Sequence, residues 1–143
     1  MIVAQIIKNK GQDIISVKEG DSVLDALKVM GKFGIGAVLV MNGAGTMSGV
    51  MSERDVARGL THYGHELLDM PVSKIMTAKV ITCDINDKVD GVMELMTDSK
   101  IRHLPVMEGG KLAAVISIGD VVKQKIAQTE AESESLKAYI ATG

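Results

Sequence analysis

IISVKEGDSVLDALKVMGKFGIGAVLVM, residues 14–41, and VITCDINDKVDGVMELMTDSKIRHLPVM, residues 80–107, are one pattern written twice. They align at a constant offset of 66, which sets Ile15 on Ile81, Asp21 on Asp87, Val23 on Val89, Leu27 on Met93, Met30 on Met96, Ile35 on Ile101 and Val40 on Val106. After a one-residue gap the offset becomes 65. GVMSERDVAR from Gly49 then meets AVISIGDVVK from Ala114, so Ser52 and Asp55 answer Ser117 and Asp120. An internal repeat outweighs local propensity as a guide to fold, because each copy must build the same supersecondary unit.

Within each copy the apolar spacing changes period in the same order. A short run (IISV, 14–17; VITC, 80–83) reads as a strand. Gly20-Asp21-Ser22 or Asn86-Asp87-Lys88 follows as a helix start, where a side-chain oxygen takes orphan amide protons. Val23, Leu27 and Met30, like Val89, Met93 and Met96, recur at helical spacing and give one apolar face. These helices close at Lys32–Gly34 and Thr97–Lys100. AVLVM and LPVM each lead through a glycine turn, Asn42–Gly45 or Glu108–Gly110, into a third run, SGVMS or LAAVIS, which is a hairpin signal. A last helix starts near Asp55 and Asp120. The predicted class is α/β (α+β), two pseudo-symmetric β-α-β-β-α repeats. Each copy alone leaves a sheet face bare and is marginal, so the two are expected to pack sheet to sheet as one module.

The expected division is an N-terminal segment 1–13, a first repeat 14–60, a linker and entry to the second repeat 61–79, a second repeat 80–125 and a C-terminal helix 126–143. VVKQKIAQTEAESESLKAYIATG contains no proline, and no glycine before its end. It reads as a long helix, polar over Thr129–Ser135 and apolar again at Leu136, Tyr139 and Ile140. That i, i+3, i+4 set either docks on a partner subunit or folds back on its own core.

Composition excludes several function classes. With 16 basic against 18 acidic residues the net charge is −2, which offers neither nucleic acid nor an anionic membrane a favourable field. The longest apolar run, GAVLVM, falls far short of the roughly 20 residues that span a bilayer. No signal-peptide pattern opens the chain and a single cysteine, Cys83, can form no internal disulfide, so the expected location is cytoplasmic. Phe33, Tyr63 and Tyr139 are the only aromatics beside ten methionines, so the core should be aliphatic and methionine-filled, with no ring platforms for single-stranded nucleic acid. His62, His65 and Cys83 lack metal-ligand spacing, and Cys83 falls on core Val17 in the repeat; no metal site is expected. There is no phosphate-binding glycine-lysine loop and no nucleophile elbow, and neither S-x-x-D serine has a paired base, so no catalytic residues are assigned and no enzyme is expected.

The repeated order of a strand, a D-x-V-x-x-A/V-L/M-x-x-M helix, an I-x-x-L-P-V strand, a glycine turn and an S-x-x-D-V helix start resembles the cystathionine-β-synthase (CBS) domain. Two in tandem resemble the Bateman module, here in the form of short stand-alone bacterial proteins. The resemblance implies a regulatory sensor that binds an adenine nucleotide (AMP, ADP, ATP, NAD(H)) or S-adenosylmethionine in two clefts between the repeats, and a disk-like homodimer. It places Ser52, Arg54 and Asp55 in one cleft and Ser117, Gly119 and Asp120 in the other, with Arg102 and His103 as phosphate partners. Lys79, Val80 and Ile81 would meet the base at the Asp55 site, and Asp13, Ile14 and Ile15 at the Asp120 site. An aspartate at a helix start can accept both ribose hydroxyls while the free amides favour phosphate. Gly36 and Ala37 stand where the second copy has Arg102 and His103, so the two sites should differ in affinity or ligand. Two other readings stay open: a structural dimerisation module with vestigial clefts, in which the S-x-x-D aspartates are plain helix caps, and a weak nucleic-acid binder, against which the charge argues.

Overall fold

The computed structural model describes residues 1–11 and 14–142. In chain order its main elements are α1 (Val3–Lys10), β1 (Ser16–Lys18), α2 (Val23–Phe33), β2 (Ala37–Met41), β3 (Met47–Ser52), α3 (Glu53–Tyr63), β4 (Cys83–Asp84), α4 (Val89–Ser99), β5 (His103–Glu108), β6 (Lys111–Ser117) and α5 (Ile118–Thr142). They form two compact units, Ile14–Ile81 and Met1–Asp13 with Thr82–Gly143.

Both units are built alike. In the first, the sheet order is β1-β2-β3, with β1 parallel to β2 (Val17 opposite Val40) and β2 antiparallel to β3 (Val38 opposite Met51). In the second it is β4-β5-β6, with Cys83 opposite Val106 and Leu104 opposite Ile116. Even the irregularity repeats: each hairpin shifts register at the matched place, Val40/Met41 and Val106/Met107. The first strand of each copy begins later than the apolar runs suggest. Its parallel neighbour offers partners only opposite Ser16–Lys18 or Cys83–Asp84, so Ile14 and Ile81 are left exposed.

Local chemistry accounts for the turns. Asp21 caps the β1–α2 turn by accepting from the Lys18 amide at 2.9 Å, and Asp87 does the same for Asp84 at 2.8 Å. Ser22 caps α2 by accepting from the Asp25 amide, whereas Lys88, at the matching position, offers α4 no side-chain cap. Both helices end in the left-handed region, α2 at Gly34 (φ 64°) and α4 at Lys100 (φ 55°); only the glycine does so without a Cβ penalty.

Each core is aliphatic and methionine-bearing. Val23, Val38, Val40 and Met51 anchor the first, and Val89, Met96, Leu104 and Ile116 the second. Cys83 and Val17 hold matching core positions. Burial, followed by the nearby carboxylates of Asp87 and Asp84, pushes the Cys83 thiol up to about 12, which keeps it protonated and inert at neutral pH.

Two segments outside the repeat complete these cores. Val3, Ile6 and Ile7 of α1 are buried in the second unit, and the Val3 and Ala4 amides donate to the carbonyls of Asp87 and Ile85, both at 2.9 Å. In the first unit, two short 3₁₀ turns, Gly64–Asp69 and Val72–Lys74, bury Leu67 and Val72 completely. Each unit therefore takes in chain that precedes the other unit's repeat.

Candidate functional site

α3 starts where β3 ends, and its first turn is a reciprocal cap. The Ser52 side chain accepts from the Asp55 amide, while the Asp55 carboxylate accepts from the Ser52 amide at 2.9 Å and the Ser52 hydroxyl at 3.1 Å. A plain cap would face solvent; this aspartate is only 6% exposed. Two further donors reach its other oxygen, the Arg58 guanidinium at 3.0 Å and the Thr77 hydroxyl at 3.1 Å. Oδ2 is thus pinned to the protein backbone, while Oδ1 is held by two side chains able to exchange partners.

Thr77 arrives through close backbone approach. Its amide donates to the Val50 carbonyl at 2.8 Å, and its carbonyl accepts from the Val50 amide at 3.0 Å, so residues 76–77 run beside β3. Gly49 permits this, since a Cβ there would stand 2.8 Å from the Thr77 carbonyl oxygen. Between α3 and this segment lies an open cleft of about 320 Å³, lined by Asp55, Arg58, His62 and Tyr63 on one side and Ile75, Met76 and Thr77 on the other.

The matching place in the second unit is built from different groups. The Ser117 amide donates to Asp120 at 2.8 Å and the Asp120 amide to the Ser117 hydroxyl at 3.1 Å, repeating the cap. The donor from outside the repeat is Lys10 at the end of α1, whose ammonium bonds both the Asp120 carboxylate and the Val115 carbonyl. Burial alone would raise the Asp120 carboxyl, but the Lys10 and Ser117 hydrogen bonds and the Lys10 charge outweigh it and hold the group below its ordinary 3.8.

Lys10→Met is therefore expected to raise the Asp120 carboxyl value, read as a displaced NMR titration of that side chain. Because the folded value lies below the unfolded one, the pair adds stability above pH 3.8 that disappears as pH falls through the folded value. The wild-type advantage over Lys10→Met should be present at neutral pH and vanish in acid. An unmoved Asp120 titration would disprove the coupling.

The remaining expected residues fall as follows. Gly36 and Arg102 are equivalent, since their carbonyls accept from the first helical amides, Glu53 at 3.0 Å and Ile118 at 2.8 Å. Ala37 pairs with Ser52 and His103 with Ser117 across the hairpins, so each pair sits at its own helix start. Arg102 and Gly119 are exposed there. Arg54 is exposed on α3, and the guanidinium on Asp55 belongs to Arg58, one turn further on. Lys79, Val80 and Ile81 continue from Thr77 in the unit of Asp55. Ile14 and Ile15 also belong to that unit, and Asp13 lies outside the described residues. Arg58 and Thr77 were missing from the sequence-based set. The i, i+3 spacing of Asp55 and Arg58 was a usable signal; nothing local links Thr77 to an aspartate 22 residues earlier. Among the described residues no cluster of three metal-ligating side chains occurs, and no helix is long and apolar enough to cross a membrane.

A family profile of the CBS domain matches residues 3–62 and 72–126. The mitochondrial CBS domain-containing protein CBSX3 of Arabidopsis thaliana is 33% identical over 149 aligned residues, which cover 99% of this chain and 72% of that protein. The crystal structure of a CBS-domain-containing protein from Agrobacterium tumefaciens matches with a TM-score of 0.85 at 38% identity, covering 87% of this chain and 99% of that one. The CBS domain pair of the protein MJ0100, in complex with 5′-methylthioadenosine and S-adenosyl-L-methionine, has the same fold: TM-score 0.77, 21% identity, 90% of this chain and 98% of that one.

Proposed function

Because this chain belongs to the CBS domain family and carries the domain twice, we propose that it is a regulatory module that binds an adenine nucleotide (AMP, ATP or NAD(H)) and catalyses nothing itself. One observation carries the reading: a buried carboxylate at a helix start, Asp55, lines an open cleft with Arg58 and Thr77 beside it. The adenosine-type ligands of the MJ0100 pair support the ligand class.

In this proposal the ribose hydroxyls replace Thr77 and Arg58 on Oδ1, while the Ser52 bonds keep the carboxylate aimed. Arg58, whose side chain is 70% exposed, is free to swing onto a phosphate, where its planar fork of donors fits better than on a shared carboxylate oxygen. Lys79, Val80 and Ile81 would offer backbone groups to the adenine edge. At the second site Ser117, Gly119 and Asp120, with Arg102, His103, Asp13, Ile14 and Ile15, would play the matching parts. There a ligand must share Asp120 with Lys10, so a more anionic ligand should be preferred and the sites should fill unequally. The regulatory output, on a disk-like homodimer or a protein partner, requires that ligand bind one state better than another.

Thermal unfolding with AMP, ADP, ATP, NAD, NADH and S-adenosylmethionine tests this, since a ligand at a hundred times its dissociation constant adds roughly 2.7 kcal/mol. An upward shift with one or more adenine compounds and none with guanine controls is the expected result. No shift, in protein shown beforehand to be ligand-free, would leave a structural dimerisation module as the better reading.

A further inference from the structure

α5 carries an apolar seam that the described residues leave largely uncovered. Its start is anchored by the fully buried Val121, but from Thr129 to Ala141 every residue is exposed. Val122, Ile126, Leu136 and Ile140 are 41%, 53%, 60% and 67% exposed. With Thr129 and Ser133 they recur at alternating spacings of four and three, which is a heptad seam: Ile126, Ser133 and Ile140 at a, and Val122, Thr129 and Leu136 at d. A helical stretch of that length without packing is marginal in water, so the seam calls for a partner.

We propose that this seam pairs with the same seam of a second copy of the chain, as a parallel, in-register, two-stranded coiled coil. The apolar layers favour that state, since Ile at a with Leu at d selects two parallel strands. Register follows from the polar middle. In register, Thr129 meets Thr129 and Ser133 meets Ser133, whereas a slip of one heptad sets the Thr129 hydroxyl against Leu136 and the Ser133 hydroxyl against Ile126.

Charge then chooses the orientation. In a parallel pair each g position faces the e position five residues further along the other helix. Lys125 meets the partner's Glu130 and Glu132 the partner's Lys137, so every such pair is opposite in sign. An antiparallel pair on the same seam sets e against e and g against g. Lys123 would then face Lys137, and Glu130 and Glu132 would each face their own copies, which repels. Lys125 also bonds Asp90 within its own unit at 2.7 Å, an exposed pair beside the seam. The inference stands independently of nucleotide binding.

The test uses the full chain and a single introduced thiol, because the native cysteine, Cys83, is buried. Ser133→Cys lies at an a layer and Ser135→Cys points away from the seam. Under mild oxidation Ser133→Cys should form a covalent dimer at least about tenfold faster than Ser135→Cys, since only the former brings two Cβ atoms into disulfide range. Combined with Ser133→Cys, neither Glu130→Lys/Glu132→Lys nor Lys125→Glu/Lys137→Glu should cross-link with itself, while their mixture should give the heterodimer. All these positions lie outside both cores, and a retained cooperative melting transition in each variant verifies that folding is intact, with a modest fall expected for Lys125→Glu, which sets a carboxylate beside Asp90. Equal slow cross-linking of Ser133→Cys and Ser135→Cys overturns the proposal. So does cross-linking found only between a Thr129→Cys chain and a Ser133→Cys chain, which would report an antiparallel pair.

Discussion

Asp55→Ala is expected to abolish the nucleotide-dependent rise in melting temperature at the first site and to lower affinity there by about 2 kcal/mol or more, roughly thirty-fold. The carboxylate is the group that can accept two ribose hydroxyls, and its loss leaves the Ser52 amide and the Thr77 hydroxyl facing a methyl group. The same change should cost about 1–3 kcal/mol of folding stability, because the half-buried Ser52 donors lose their acceptor. The bond to the mostly exposed Arg58 adds little, since water replaces it. Asp55→Asn separates the two roles. It retains an acceptor for Ser52 but presents an amide donor to the ribose, so stability should recover while the ligand response does not. If Asp55→Ala and Asp120→Ala both kept a full ligand response, the site assignment would fail. Isothermal titration beside the melting curve decides the matter.

Gly49→Ala should produce the second large effect, in stability and affinity together. A Cβ at this position would lie 2.7 Å from the Met76 sulfur and 2.8 Å from the Thr77 carbonyl oxygen. The thioether can turn aside, but the carbonyl is tied to Val50 by the ladder, so the backbone of residues 76–77 must retreat. Overpacking of this kind costs about 1–3 kcal/mol, and withdrawal of Thr77 removes a donor from Asp55. The second repeat shows why the glycine matters only once. Its counterpart, Ala114, is 1% exposed and fits, because there the Lys10 side chain, rather than paired backbone, reaches the neighbouring Val115 carbonyl. A crystal structure or hydrogen exchange at Val50 and Thr77 would show the retreat. An unchanged melting temperature would contradict the close approach.

What could be read in advance was local or repeated. The change from strand to helical period in each copy, the hairpin turns and the paired S-x-x-D helix starts were all visible. Duplication is what sets Asp55 and Asp120 apart from ordinary caps in the sequence. α1 was harder: Val3, Ile6 and Ile7 do keep helical spacing, but over two turns that pattern cannot say which core it enters. The late starts of β1 and β4 escaped for a related reason, since a parallel strand ends where its neighbour stops offering partners rather than where apolar residues stop.

The division between the two aspartates makes the point most sharply. Periodicity and self-similarity, which depend on neighbours a few residues apart, were enough to establish two like units with an aspartate at each last helix start. They could not say that one carboxylate would meet Thr77, 22 residues later, while the other met Lys10, 110 residues earlier in the chain. Those partners come from segments that lie outside the repeated pattern and reach the aspartates only when the chain folds back. Their identity is therefore a property of long-range packing.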